Sequence, residues 1–180
     1  MTDLKEGVFH IYGSFTYKEA QAIVRKLKCN LASWRQMKDA YKHGANWCDY
    51  GWSKEQQAYY PIQKGFYDKL KEKGHENNCG KPGLNGGYFR NKNLKFGINC
   101  YGLRPNLFDF SNLNNLGINN SNIDYVDYEN NTTNTLNNTD NANNYTTPFN
   151  NNGYYLANLS SSYSCSCPAE TCTDEHACNI

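Results

Sequence analysis

The residues with the most evident chemical capacity are the eight cysteines, and they fall into two groups. Four lie close together near the C-terminus as Cys165-x-Cys167-x₄-Cys172-x₅-Cys178, with His176 among them. Four thiolates at that density could hold Zn²⁺ tetrahedrally, although the paired C-x₂-C knuckles of familiar zinc sites are absent. Two disulfides would serve equally well, and spacing alone does not give their pairing. The other four, Cys29, Cys48, Cys79 and Cys100, are spread along the first part of the chain. Asp174, Glu175 and His176 read as an exposed acidic turn, and His10, His43, His75 and His176 are scattered. No nucleophile, base and acid stand in a catalytic spacing, so the expectation is a protein that is not an enzyme and carries no cofactor.

Charge is divided as sharply as the cysteines. All 18 Lys and Arg of the 180 residues lie at or before Arg104, together with nine Asp and Glu, which gives 18 − 9 = +9. From Pro105 onward there are eight acids and no base, or −8, and the formal net charge of +1 is only their sum. A single uniform globule seldom separates charge in this way, so a basic unit followed by an acidic one is expected. The lysines are interleaved with acids and form no nucleic-acid motif, which argues against a nucleic-acid partner. Mean hydropathy is −0.85, and no stretch approaches the roughly 18 consecutive apolar residues of a membrane span. The opening Met-Thr-Asp-Leu-Lys-Glu-Gly carries charges where a secretory leader needs an apolar run, so no leader is expected. The six Asn-x-Ser/Thr triplets beginning at Asn119, Asn130, Asn131, Asn137, Asn144 and Asn158 are what Asn-rich sequence produces by chance.

The basic unit has clear local signals. Val8-Phe9-His10-Ile11-Tyr12 is β-branched and aromatic and reads as a strand. Thr16 to Glu19 and Ser33 to Gln36 are capping boxes, each opening a helix, with Ala20, Ile23, Val24 and Leu27 lining the first and Met37, Ala40 and Tyr41 the second. Gly44 is placed to end the second helix. Gln57 to Ile62 reads as a strand whose Pro61 marks an edge or an end. For Lys64 to Asn78 a solvated loop and a helical turn or two are equally compatible with the pattern. Three glycines within Gly83 to Gly87 imply a loop, and Tyr88-Phe89-Arg90 and Leu94 to Tyr101 read as closing strands about an Asn91-Lys92-Asn93 turn. From Asn106 to Asn152 there are 18 Asn in 47 positions, punctuated by apolar residues at irregular intervals. Such a composition does not offset chain entropy by burial on its own and suits an extended strap laid on another surface.

In order and spacing, several fragments resemble the Link domain, the hyaluronan-binding module of extracellular-matrix proteins, from about Gly7 to Tyr101. They are Gly7-Val8-Phe9-His10, Thr16-Tyr17, Glu19-Ala20, Leu31-Ala32-Ser33, Gln36-Met37, Ala40-Tyr41 and Gly44. The run Trp47-Cys48-Asp49-Tyr50-Gly51-Trp52 is the most specific, followed by Tyr60-Pro61-Ile62, Cys79-Gly80, Pro82-Gly83 and Asn99-Cys100-Tyr101. The resemblance implies an α+β, C-type-lectin-like fold of two short helices on small antiparallel sheets. It implies a Cys48–Cys79 disulfide. The family's outer bond would start at Val24, and here a cysteine stands at Cys29 instead, so Cys29 and Cys100 are either a second bond or two thiols. The family grips its anionic sugar with stacked tyrosines and paired Lys or Arg, which carries over to Tyr50, Tyr60, Tyr88 and Arg90, with Lys54 and Lys81 as further cations. Asp49 takes the place of an arginine and is expected to repel a carboxylate.

These readings divide the chain into a Link-like domain (1–104), an Asn-rich strap (105–158) and a cysteine-rich terminal segment (159–180). Link modules without a leader beside Asn-rich sequence resemble proteins of large cytoplasmic DNA viruses. The expected role is therefore a structural component of a virus particle, a minor capsid or cement protein made in host cytoplasm, whose arm docks on other virion proteins. The alternative is an adhesion module that binds hyaluronan or another polyanionic glycan, outside the cell by an unconventional route.

Overall fold

The computed structural model describes residues 6–103, 115, 116, 118 and 122–136. The two capping boxes are formed as the sequence requires. Thr16 Oγ1 accepts from the Glu19 N–H (3.3 Å) while Glu19 accepts from the Thr16 N–H (2.7 Å), opening α1 (Tyr17–Lys26). That backbone bond is the main reason the Glu19 carboxyl lies below its ordinary range. Ser33 and Gln36 repeat the arrangement at the start of α2 (Trp34–Lys42). The buried residues, Ala20, Ile23 and Val24 on α1 and Met37 and Ala40 on α2, have the three- and four-residue spacing that puts one stripe against a core.

The strands are β1 (Glu6–Phe15), β2 (Asn30–Leu31), β3 (Gly51–Ser53), β4 (Gln57–Ile62), β5 (Gly83–Tyr88), β6 (Phe96–Leu103), β7 (Ile123–Asp127) and β8 (Thr132–Thr135). They form one sheet in the order β5-β4-β3-β6-β1-β7-β8, with β2 pairing β6 beside β3. A third helix, α3 (Lys64–Glu72), resolves the ambiguity of the Lys-rich stretch in favour of helix; it buries only Leu70 and its N-cap, Gln63, makes no side-chain cap bond. Pro61 lies near the end of β4, past the residues that pair with β3, where no ladder donor is missed.

Two expectations are corrected. Gly83–Gly87 is not a loop but most of β5, in register with β4 from Gln57↔Tyr88 to Ile62↔Gly83. Pairing needs only backbone N–H and C=O groups, so glycines can supply a strand that has no side-chain pattern to betray it. At Gly86 (φ +122°) the β4 backbone approaches so closely that a Cβ would collide with the Ala58 carbonyl. The second correction concerns the strap. Within it, β7 and β8 form a hairpin that pairs antiparallel with β1 of the same chain, Phe9↔Tyr125 to Ile11↔Ile123. Ile118, Ile123, Val126 and Leu136 join the same core as Phe9, Ile11, Trp47, Trp52 and Ile98. The surface that orders this part of the strap is the module itself, and a boundary at 104 runs through one sheet.

The hairpin is held by polar as well as apolar contacts. Thr133 Oγ1 accepts from the Asn46 N–H (2.8 Å) and donates to the Gly44 carbonyl (3.0 Å), while the Val8 N–H donates to the Tyr128 hydroxyl (3.1 Å). Gly44 ends α2 at φ +89°, and a Cβ there would meet the Asn131 backbone. Asp124, fully buried on β7, accepts from Tyr12 (2.8 Å) and Thr135 (2.7 Å).

Cys48 and Cys79 form the expected disulfide, with Cα atoms 5.4 Å apart. Cys29 and Cys100 are both buried thiols. The pairing Leu31↔Cys100 brings Cys29 alongside Gly102, and burial, with the Cys29 thiol as neighbour, pushes the Cys100 thiol well above its ordinary value. Cys165, Cys167, Cys172 and Cys178 lie outside the described residues.

Candidate glycan-binding surface

The candidate residues separate into a buried group and an exposed one. Tyr50 and Tyr60 are 3% and 7% exposed and meet edge to face, ring centres 4.6 Å apart. Tyr50 also packs on Phe89 (5.4 Å) and Phe96 (5.1 Å), while Trp52 packs on Phe96 (4.9 Å). These are contacts of a core aromatic cluster, so neither tyrosine presents its ring for stacking on a sugar. Register separates Tyr60 from Tyr88 as well. Tyr60 pairs with Asn85 and Tyr88 with Gln57, and since side chains alternate along β4, the two tyrosines lie on opposite faces of the sheet. Lys81 belongs to the Tyr60 end, where its carbonyl accepts from Asn85 (2.9 Å).

The segments that carry Tyr88, Arg90 and Lys54 are joined, and the reason is Gln56. Glu55 and Gln56 hold left-handed backbone (φ 61° and 59°) in a tight turn that follows β3. Gln56 Nε2 donates to the Phe89 carbonyl (2.6 Å) and the Arg90 carbonyl (3.1 Å), and the Phe89 N–H returns a bond to the Gln56 carbonyl (3.1 Å). On the other side of the turn the Gln56 N–H donates to the Tyr17 hydroxyl (3.1 Å), and the Tyr17 N–H donates to the Lys92 carbonyl (3.1 Å). The turn is therefore pinned between the end of β5 and the start of α1. Around it Tyr88 is 40% exposed, and Lys54, Arg90 and Lys92 are all exposed. Glu55 contributes one exposed carboxylate, so the group is net cationic. Gln56, which organises it, carries no sequence signal, because its partners are some 33 residues away along the chain.

Asp49, expected to face a ligand, faces inward instead. It is 3% exposed and its Oδ2 lies 2.7 Å from Nε2 of the wholly buried His10. The opposite ring atom, Nδ1, lies 2.7 Å from Asn99 Oδ1. Asn99 Nδ2 is surrounded by three acceptors, the Gly51 and Tyr59 carbonyls and Ser53 Oγ, which turns Oδ1 toward His10 and makes Nδ1 the donor. Trp47 stacks on the imidazole (5.2 Å, 18°). Glycine is required at 97 because a Cβ there would stand 2.6 Å from Asp49 Oδ2 and 2.8 Å from His10 Cε1. Asp49, standing where the family carries an arginine, is thus bonded to buried His10, and the surface has one cation fewer for it.

The match to known proteins accords with this architecture. The family model described as extracellular link domain matches residues 7–101, and the chain belongs to that family. A search of curated proteins found no match. The described residues include no group of three or more His, Cys, Asp or Glu placed to hold a metal ion, and no helix among them is long and apolar enough to cross a membrane.

Proposed function

We propose that this chain is a non-enzymatic binding module for an anionic polysaccharide of the hyaluronan class. The single observation that supports it is the exposed Tyr88 on the segment that the Gln56 turn, which follows Lys54, ties to Phe89 and Arg90, in a chain of the Link family. A flat aromatic face accepts the apolar side of a sugar ring, and the cations pair with its carboxylates. Tyr50 and Tyr60 support that face from beneath the sheet, and Lys81 lies outside it. Because Arg90 and Lys54 are exposed, their contribution is screened by salt. An assembly role in a virus particle rested on the expected lack of a leader and on the Asn-rich composition beyond residue 104; the described part of that stretch folds onto its own module, which lends that role no support.

The test is a calorimetric titration of the full chain with hyaluronan oligosaccharides at low ionic strength. Binding that weakens with added salt, and about tenfold on Tyr88→Ala, is the expected result. A flat titration at low salt would end this reading.

A further inference from the structure

The chain contains three tryptophans, and two of them, Trp47 and Trp52, are completely buried. Trp34 is different. It is the first residue of α2, 45% exposed, and the Lys38 ammonium sits over its ring 4.7 Å from the centroid. A tryptophan left this far in water forgoes the burial its side chain normally gains, and an ammonium poised on the ring adds a charge to an aromatic surface.

The position of Trp34 relative to Lys54 gives this its meaning. The Lys54 N–H donates to the Ala32 carbonyl (2.8 Å), so the chain entering α2 is hydrogen-bonded directly to the turn that carries Lys54. The same turn is bonded through Gln56 to Phe89 and Arg90. Tyr88–Arg90, Lys54 and Trp34–Lys38 therefore follow one another across adjacent backbone segments, over a span of roughly 15 Å at ordinary inter-segment and per-residue spacings. Three cations, Arg90, Lys54 and Lys38, punctuate that path against two carboxylates, Glu55 and, next to Lys38 on α2, Asp39.

We infer that Trp34 and Lys38 form a second platform on the helix, continuous with the Tyr88–Arg90 surface, which takes the further sugars of a long anionic polysaccharide. The inference rests on the binding function proposed above and adds to it a preference for chain length. A short oligosaccharide is satisfied by Tyr88, Arg90 and Lys54. A longer one runs over Lys54 onto the Trp34 ring, with Lys38 meeting a carboxylate.

Two readouts test this with the full-length chain. Calorimetry with a hyaluronan disaccharide and a decasaccharide is expected to show Trp34→Ala binding the shorter as the wild type does and the longer about tenfold more weakly. Tyr88→Ala weakens both. Acrylamide quenching of the unmodified chain needs no variant, because Trp47 and Trp52 are sealed and Trp34 dominates the quenchable emission. The decasaccharide is expected to protect that emission and the disaccharide to leave it unprotected. Decasaccharide binding with unchanged quenching, or equal effects of Trp34→Ala on both lengths, would overturn the second platform and leave the first intact. Absence of binding by the wild-type chain to either oligosaccharide removes both.

Discussion

Asp124 offers the sharpest quantitative test of how the hairpin is joined to the module. Burial pushes its carboxyl up from 3.8 to about 6, against the opposing influence of the Thr135 and Tyr12 hydroxyls and of His10, with Asp49 adding to the rise. The folded state therefore holds this proton more tightly than the unfolded chain does. Its stabilising contribution is complete below the unfolded value near 4 and is lost as pH rises through about 6. A difference of about two pKa units corresponds to about 3 kcal/mol. In Asp124→Asn the side chain is neutral at every pH and keeps one oxygen acceptor for a hydroxyl, so it mimics the protonated form. Urea unfolding of both proteins between pH 4 and 8 isolates the effect, since every other carboxylate cancels in the difference. At pH 8 the variant is expected to be more stable by up to about 3 kcal/mol, and the gap should close by pH 4. A gap that stays constant with pH, or that widens on acidification, would show that Asp124 is not held buried between Tyr12 and Thr135.

Two further outcomes follow from the packing. Ile123, wholly buried on β7, shares the core of Trp47 and Trp52, so Ile123→Ala should lower the stability reported by tryptophan emission by about 2–5 kcal/mol; an unchanged transition would make the hairpin an accessory. Cys29 and Cys100 are buried, and Cys100 ionises reluctantly, so alkylation at pH 8 followed by peptide mapping should find both protected in the native chain and both labelled in urea. Rapid native labelling of either would place that thiol in solvent.

The depth to which the sequence could be read tracks the range of the interactions involved. Both capping boxes close over three residues, and helical stripes repeat over three or four, so α1 and α2 were legible from a dozen letters each. The Trp47-to-Trp52 run and its companions were specific enough to indicate the family and, through it, the Cys48–Cys79 bond. At Gly83–Gly87 the same local reading failed, because the ladder shared with β4 makes β5 from a segment in which three of six residues are glycine. Residues 123–136 were hidden for a related reason. Their Asn-rich composition describes a chain that cannot build a core alone, while the half-buried edge of β1 that receives them exists only after residues 6–103 have folded.

The candidate site shows the same division at the level of single residues. Residue types told that tyrosines, lysines and an arginine were available, and the family supplied the idea that they meet a sugar. Whether two of them share a face depends on strand parity, and one step in register moves a side chain through the sheet, which is how Tyr60 and Tyr88 come to be separated. Whether a charge meets solvent or a partner depends on what is folded over it, and so Asp49 went to His10 while Trp34 stayed in water. The sequence by itself determined the first two helices, the family and, through the family, the inner disulfide. The tertiary structure alone decided which side chains are surface, because exposure is set by contacts between residues distant in the chain.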